Sequence, residues 1–202
     1  SGFSKWTPVT ASDSTFDLQS GTTKVILEVQ ASGGAGGTSD VSGNNAGSGG
    51  AGAYAKKLLT GMTGATDKLD ITIGAVAAAA ASGTVTSVAQ AGTASFTTVT
   101  CTGGAGGAAG AVEAEGGAGG VIPTTGDLNI AGQNGLPGAS FGYAAGPGSN
   151  SMFGFGGIRK EGSLGVGQAA TGYGSGGGQA RPSGSMAGGA GGAAIVIVWE
   201  YK

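Results

Sequence analysis

The chain has 202 residues, 48 of them glycine, with 9 basic and 11 acidic residues, a formal net charge of -2 and no histidine. Ordinary domains carry about 7% glycine and about 25% charged residues; here the charged fraction is 10%, so an ordinary globule is excluded, as is a basic field that tracks phosphates. Without histidine, the usual general base, the usual nucleophile triads and the commonest metal ligand are missing.

Glycine loses about 0.5–1 kcal/mol relative to alanine when its backbone is fixed. A chain this rich in glycine therefore stays disordered, or has a fold that requires the absence of side chains. Its ends argue for order, because disordered segments are poor in β-branched and aromatic residues. The opening Ser1-Gly2, with no initiator Met, reads as the start of a piece of a longer protein. No signal pattern and no run of roughly 20 apolar residues is visible, so neither secretory export nor a membrane span is expected.

In chain order, a short strand is expected at Thr15–Leu18. Lys24–Ala31 (KVILEVQA) then alternates Val25, Leu27 and Val29 against Ile26, Glu28 and Gln30, the pattern of a largely buried strand. Tyr54–Leu59 is a further strand candidate. Asp67–Gly74 alternates Leu69, Ile71 and Ile73 against Lys68, Asp70 and Thr72, which predicts a half-exposed strand. Thr84–Val88 and Ala94–Thr100 are shorter candidates, and Ala77–Ala81 reads as a loop, confined by Gly74 and Gly83. Cys101 is alone, so no disulfide framework is available, and it reads as a buried inert thiol. Ala193–Tyr201 places Ile195, Ile197, Trp199 and Tyr201 opposite Val196, Val198 and Glu200, as suits an interior strand that closes the fold.

Between these strands the pentapeptide GGAGG occurs four times, at 33–37, 103–107, 116–120 and 188–192. A polyglycine II helix has three residues per turn and no internal hydrogen bonds, so GGA repeats present two bare faces through which neighbouring helices bond. Period-three glycines at Gly132, Gly135 and Gly138, and at Gly154, Gly157, Gly162 and Gly165 with one break in phase, read as outer helices with one bare face. The expected fold is mostly β: a small antiparallel sheet or sandwich beside a packed polyglycine II bundle bearing loops, with no significant α-helix. Residues 1–100 form its β-rich part and residues 101–202 its glycine-rich part with the closing strand, together one structural domain.

Taken in order, Phe16-Asp17-Leu18, the turn Ser20-Gly21-Thr22, KVILEVQASGGAGG, GGAGAYAKKLL, DKLDITIGA, TASF and GGAGGAAIVIVWEY resemble the glycine-rich C-terminal receptor-binding domains of bacteriophage tail fibres. The chain is similar, less closely, to the polyglycine II tip adhesins of T-even-like phages. This resemblance implies a non-enzymatic adhesin without a cofactor, at the distal tip of a fibre in the virion and made in the host cytoplasm. Its implied partners are a bacterial surface receptor, an outer-membrane protein or a surface glycan, and the tail-fibre shaft. A three-fold shaft implies a homotrimer, with a monomeric cap as the alternative. The second reading, from another class, is a structural or ice-binding-like glycine-rich protein without a specific receptor, which predicts unbroken period-three repeats.

If the glycine segments are the rigid body, recognition falls to the loops that join them. The richest stretch is NSMFGFGGIRKEG, with Asn150, Met152, Phe153, Phe155, Arg159 and Lys160. Aromatic residues and Arg dominate interface energetics; the alternative for Phe153 and Phe155 is to plug gaps between glycine helices. Phe141 and Tyr143 precede this stretch, while Tyr173 and Arg181 follow it, and Tyr173, Arg159 and Phe153 are the leading candidates. Thr38–Asn45 is expected at the far end of an excursion leaving the sheet at Ala31 and returning at Ala53. Its Asp40, Asn44 and Asn45 are candidates to bond a receptor, and read as a polar turn in preference to a calcium loop. Glu113 and Glu115 read as a solvated loop, since no aromatic platform for a sugar stands beside them. The GxGxxG patterns at Gly47 and Gly172 link no strand to a helix and carry no nucleotide reading.

Overall fold

A computed structural model describes residues 2–39, 44–93, 95–110, 114–138, 146–158, 165–180 and 185–202. Among these residues there is no α-helix, and all regular secondary structure is β. The strands are β1 (Phe3–Val9), β2 (Asp13–Asp17), β3 (Lys24–Gln30), β4 (Tyr54–Thr60), β5 (Asp67–Thr72), β6 (Thr86–Gly92), β7 (Val99–Cys101), β8 (Leu128–Ile130), β9 (Phe153–Phe155), β10 (Thr171–Tyr173) and β11 (Ile195–Tyr201). They form a five-stranded sheet in the order β1-β11-β3-β4-β8, a four-stranded sheet β2-β5-β6-β7 and the two-stranded ladder β9-β10. All the ladders are antiparallel.

The two larger sheets share one hydrophobic core. Val25, Leu27, Val29, Val196 and Val198 from the first meet Leu69, Ile71, Val88, Val99 and Cys101 from the second, all fully buried. The alternation in β3, β5 and β11 thus selects the core face as the sequence pattern predicts. Glu200 follows the same parity inward, where its Oε2 accepts the backbone N–H of Gln19 at 2.7 Å and the Thr22 hydroxyl at 2.8 Å. Burial pushes the Cys101 thiol up to about 12. Its Sγ donates to the Val29 carbonyl at 3.4 Å, in keeping with an inert core residue.

The strands differ from expectation in several places, the short β8, β9 and β10 among them. β1 was not signalled, because Pro8 interrupts its pattern and its large residues Phe3 and Trp6 face outward; as an edge strand it tolerates the missing N–H. β6 runs on to Gly92 through Ala89, Gln90 and Ala91, opposite Asp67–Asp70. Only the end of the Ala94–Thr100 candidate joins the ladder, in β7, and Ala94 lies outside the described residues. Ala77–Ala81 is a loop, with a turn closed by Ala81 N–H on the Ala78 carbonyl and Ala80 at φ 59°.

Beside the sheets, extended glycine-rich segments bond to one another through their backbones. Segment 44–53 lies at their centre. Its N–H groups at Gly47, Gly50 and Ala53 donate to Ala108, Ala105 and Thr102; those at Ser48 and Ala51 donate to Leu136 and Gln133; those at Gly49 and Gly52 donate to Gly177 and Gly174. These bonds are 2.8–3.0 Å long, and the direction of donation repeats every three residues. Its carbonyls accept from three further stretches: Gly34 and Gly37, Gly117 and Gly120, and Ser149. Gly33, Gly36 and Ser39 likewise donate to Gly192, Gly189 and Met186. A Cβ placed on Gly34, Gly37, Gly47, Gly49 or Gly50 would strike a neighbouring backbone carbonyl, so the spacing between segments depends on the missing side chain.

The glycines of 132–138 follow the same rule, Gly132, Gly135 and Gly138 donating to Gly120, Gly117 and Ala114. Of the second outer series Gly157 follows it, donating to Gly176 with the Gln168 carbonyl where its Cβ would be, whereas Gly154 belongs to β9 and Gly165 has no atom within 4 Å of a would-be Cβ. Its Gly162 lies outside the described residues. Gln30 joins sheet to glycine segments; fully buried, its Nε2 donates to the carbonyls of Ala31, Gly52 and Ala53 at 3.1, 3.0 and 3.2 Å.

Candidate functional site

The stretch Asn150–Phe155 and its partner Thr171–Tyr173 build one small projecting unit. In the β9–β10 ladder Phe153 pairs with Tyr173, Gly154 with Gly172 and Phe155 with Thr171. Gly172 and Gly174 take φ of 79° and 76°, left-handed values that a side chain resists, so the strand turns sharply on both sides of Tyr173. Ser151 fastens the unit: its hydroxyl donates to the Tyr173 carbonyl, and its Oγ accepts from Phe153 N–H at 3.3 Å. Asn150 ties it to the glycine segments, donating its N–H to Gln133 Oε1 at 3.1 Å and accepting Gly156 N–H on Oδ1 at 3.0 Å.

Three depressions meet at Asn150. The first, about 190 Å³, is walled by Gln30, Tyr54, Ile130 and Met152. The second, about 630 Å³, is an open groove between Asn150–Phe155 and Thr171–Gly172. The third, about 340 Å³, lies between Gln133–Leu136, Pro147–Asn150 and Phe155–Ile158. On their rims Phe155 is 72% exposed, Ile158 66% and Met152 53%. No charged side chain lines any of the three among the described residues. The described lining offers apolar surface with amide and hydroxyl groups.

The sequence candidates divide accordingly. Asn150, Met152, Phe153, Phe155 and Tyr173 come together, with Met152 and Phe155 outward and Phe153 half-buried against Tyr54, ring centroids 5.7 Å apart at 66°. The Tyr54 hydroxyl donates to Glu28 Oε2 at 2.9 Å, and its burial, with that bond and the carboxylate charge, raises its pKa. Asn45 is 2% exposed and Asn44 half-buried beside the segment that begins there, so Asn45 offers no outer surface. The excursion from Ala31 to Ala53 is antiparallel as expected, its rungs running from Ala31–Ala53 through Gly34–Gly50 to Gly37–Gly47. Asp40, Glu113, Phe141, Tyr143, Arg159, Lys160 and Arg181 lie outside the described residues. Gln133, Leu136 and Ile158 line the grooves without having been singled out; their signal in the sequence was a large or amide side chain standing alone in a glycine run.

Neither a protein-family model nor a curated protein matches this chain.

Proposed function

We propose that this protein is a receptor-binding adhesin, the tip of a bacteriophage tail fibre, and that it attaches to a bacterial surface through the Asn150–Phe155 unit and the loops beside it. One observation carries the reading: large apolar side chains, Phe155, Met152 and Ile158, are held outward around contiguous grooves on a backbone-bonded scaffold. Exposed apolar groups of this size are a solubility liability unless a partner covers them.

In this reading the scaffold is a bundle of polyglycine II helices docked on a small β-sandwich. The three-residue repeat of donor direction along 44–53 supports it, as does the dependence of the spacing on bare glycine faces. A rigid body of this kind holds a loop in its binding conformation and lowers the entropy lost on attachment. The chain acts by binding and needs no cofactor or catalytic step. The remaining partner is the fibre shaft.

The test is saturable adsorption of the purified chain to a panel of bacterial strains, before and after protease treatment of the cells. Saturable, strain-dependent adsorption is expected. Its loss after protease identifies a protein receptor and its persistence a surface glycan. Adsorption to no strain, or equal adsorption to all, would contradict the reading.

A further inference from the structure

The first depression at Asn150 has polar groups of fixed orientation. On the sheet side its lining is one ladder row, Gln30, Tyr54 and Ile130 from β3, β4 and β8, joined by Gln133 and Asn150–Met152. Two of its carboxamides have their oxygens held by backbone donors: Gln133 Oε1 accepts Asn150 N–H at 3.1 Å, and Asn150 Oδ1 accepts Gly156 N–H at 3.0 Å. Both residues are exposed, so Gln133 Nε2 and Asn150 Nδ2 are donors open to a ligand. Gln30 is set the opposite way. Its Nε2 donates to the carbonyls of Ala31, Gly52 and Ala53, while its Oε1 is buried and has no hydrogen-bond partner among the described residues. A buried acceptor left without a donor is destabilising, and a ligand that brings an N–H recovers the loss. Ile130, Ala131, Met152 and Tyr54 supply the apolar part of the lining.

A ligand matched to this hollow brings an acceptor for the two amide nitrogens, a donor for Gln30 and a small apolar group for the wall. A secondary acetamide has all three, in its carbonyl, its N–H and its methyl. A ring bearing hydroxyls alone lacks the methyl, and the primary amide of an Asn or Gln side chain ends at its nitrogen. A peptide group carries chain on both sides. At about 190 Å³ the hollow is smaller than the roughly 300–1,000 Å³ that encloses a whole ligand, so it admits one substituent that ends within it. The second and third depressions meet it at Asn150 and leave room for the rest. We propose that the first depression is a subsite for the acetamido group of an N-acetylated sugar in a surface glycan. Gln133 Nε2 and Asn150 Nδ2 donate to the acetamido carbonyl, and its N–H donates to Gln30 Oε1. Gln30 is fully covered in the free chain, so the group enters as the Met152 side chain, unbranched and 53% exposed, swings aside. The assignment rests on the reading of the Asn150–Phe155 unit as the attachment site, and names the class of receptor that the site takes.

Saturation-transfer NMR of the full chain with N-acetylglucosamine and N-acetylgalactosamine, beside glucose and galactose, tests the subsite. Transfer to the acetyl methyl protons is expected with at least one of the two acetamido sugars, and no transfer with the plain sugars. Asn150→Asp and Gln133→Glu each keep the oxygen that accepts a backbone N–H and remove the donor nitrogen, at exposed positions, and circular dichroism checks that the double variant folds. The double variant is expected to bind the acetamido sugar about tenfold more weakly, or weaker still. No transfer to either acetamido sugar, equal transfer to the plain sugars, or undiminished binding by the folded double variant overturns the proposal. Competition on cells separates it from the attachment reading. Strain-dependent adsorption that neither acetamido sugar reduces, or that protease treatment of the cells abolishes, overturns the subsite and leaves the adhesin standing; acetamido binding by a chain that adsorbs to no strain does the reverse.

Discussion

The ring of Phe153 stands edge-on to that of Tyr54, 5.7 Å between centroids and 66° between planes. Tyr54 belongs to the five-stranded sheet and Phe153 to the projecting β9–β10 unit, so this contact seats the candidate site on the base of the fold. Phe155, two residues on, points into solvent.

These neighbours therefore separate stability from binding. Phe153→Ala is expected to lower unfolding stability by about 1–2 kcal/mol, through lost burial and the lost edge contact. Phe155→Ala is expected to change it by no more than about 0.5 kcal/mol. Denaturant unfolding of the two variants checks both; equal effects would mean that Phe153 is not seated on Tyr54.

A matched pair of glycine substitutions tests the scaffold. A Cβ on Gly50 would collide with the Ala118 carbonyl, a backbone atom that cannot rotate away, and Gly50→Ala is expected to cost about 3 kcal/mol or more. At Gly165 a Cβ meets nothing within 4 Å, so Gly165→Ala is expected to be neutral, or stabilising by about 0.4–1 kcal/mol through the unfolded chain. Thermal unfolding of both variants reads the difference.

Gln30 predicts an order of effects at the junction of sheet and glycine segments. Gln30→Leu removes the amide donor shared by three carbonyls and is expected to cost about 1–3 kcal/mol. Gln30→Glu is expected to cost more, because it sets a carboxylate against those same carbonyls in a fully buried position. The ranking of the two midpoints in urea checks it.

Cys101 gives a pH signature. The fold holds its thiol protonated up to about 12, above its ordinary 9.0, because the group is buried. The unfolded chain therefore binds fewer protons between about pH 9 and about pH 12, and stability falls as pH rises through that window, by at most about 1.4 kcal/mol per pH unit from this group. Below the window this group leaves stability unchanged with pH. Cys101→Ala is expected to flatten that part of the profile, and alkylation of the wild-type thiol at pH 8 is expected to proceed only as fast as the chain opens.

Much of this architecture is legible in the sequence where side chains carry the pattern. The alternation of Val25, Leu27 and Val29, and of Val196, Val198 and Glu200, selects the buried face. The glycine spacing gives the period of three with which Gly47, Gly50 and Ala53 share one neighbour. Which segment neighbours which is not legible: Gly49 bonds Gly177 across 128 residues, and a backbone without side chains holds no pairing code. Phe3–Val9 escaped for a related reason, since its large residues answer to the outer face and not to the core. At the candidate site the aromatic cluster announced itself by composition. Leu136 and Ile158 enter only because the segments bearing them are brought beside Phe155.

The central claim is tested most directly by adsorption of the folded double variant Met152→Ser, Phe155→Ser to a strain that binds the wild-type chain, beside Val121→Ser, an exposed position outside the three grooves. The account predicts that the double variant loses adsorption at least tenfold, equivalent to about 1.4 kcal/mol, while Val121→Ser adsorbs as the wild type does. Undiminished adsorption of the double variant would contradict it.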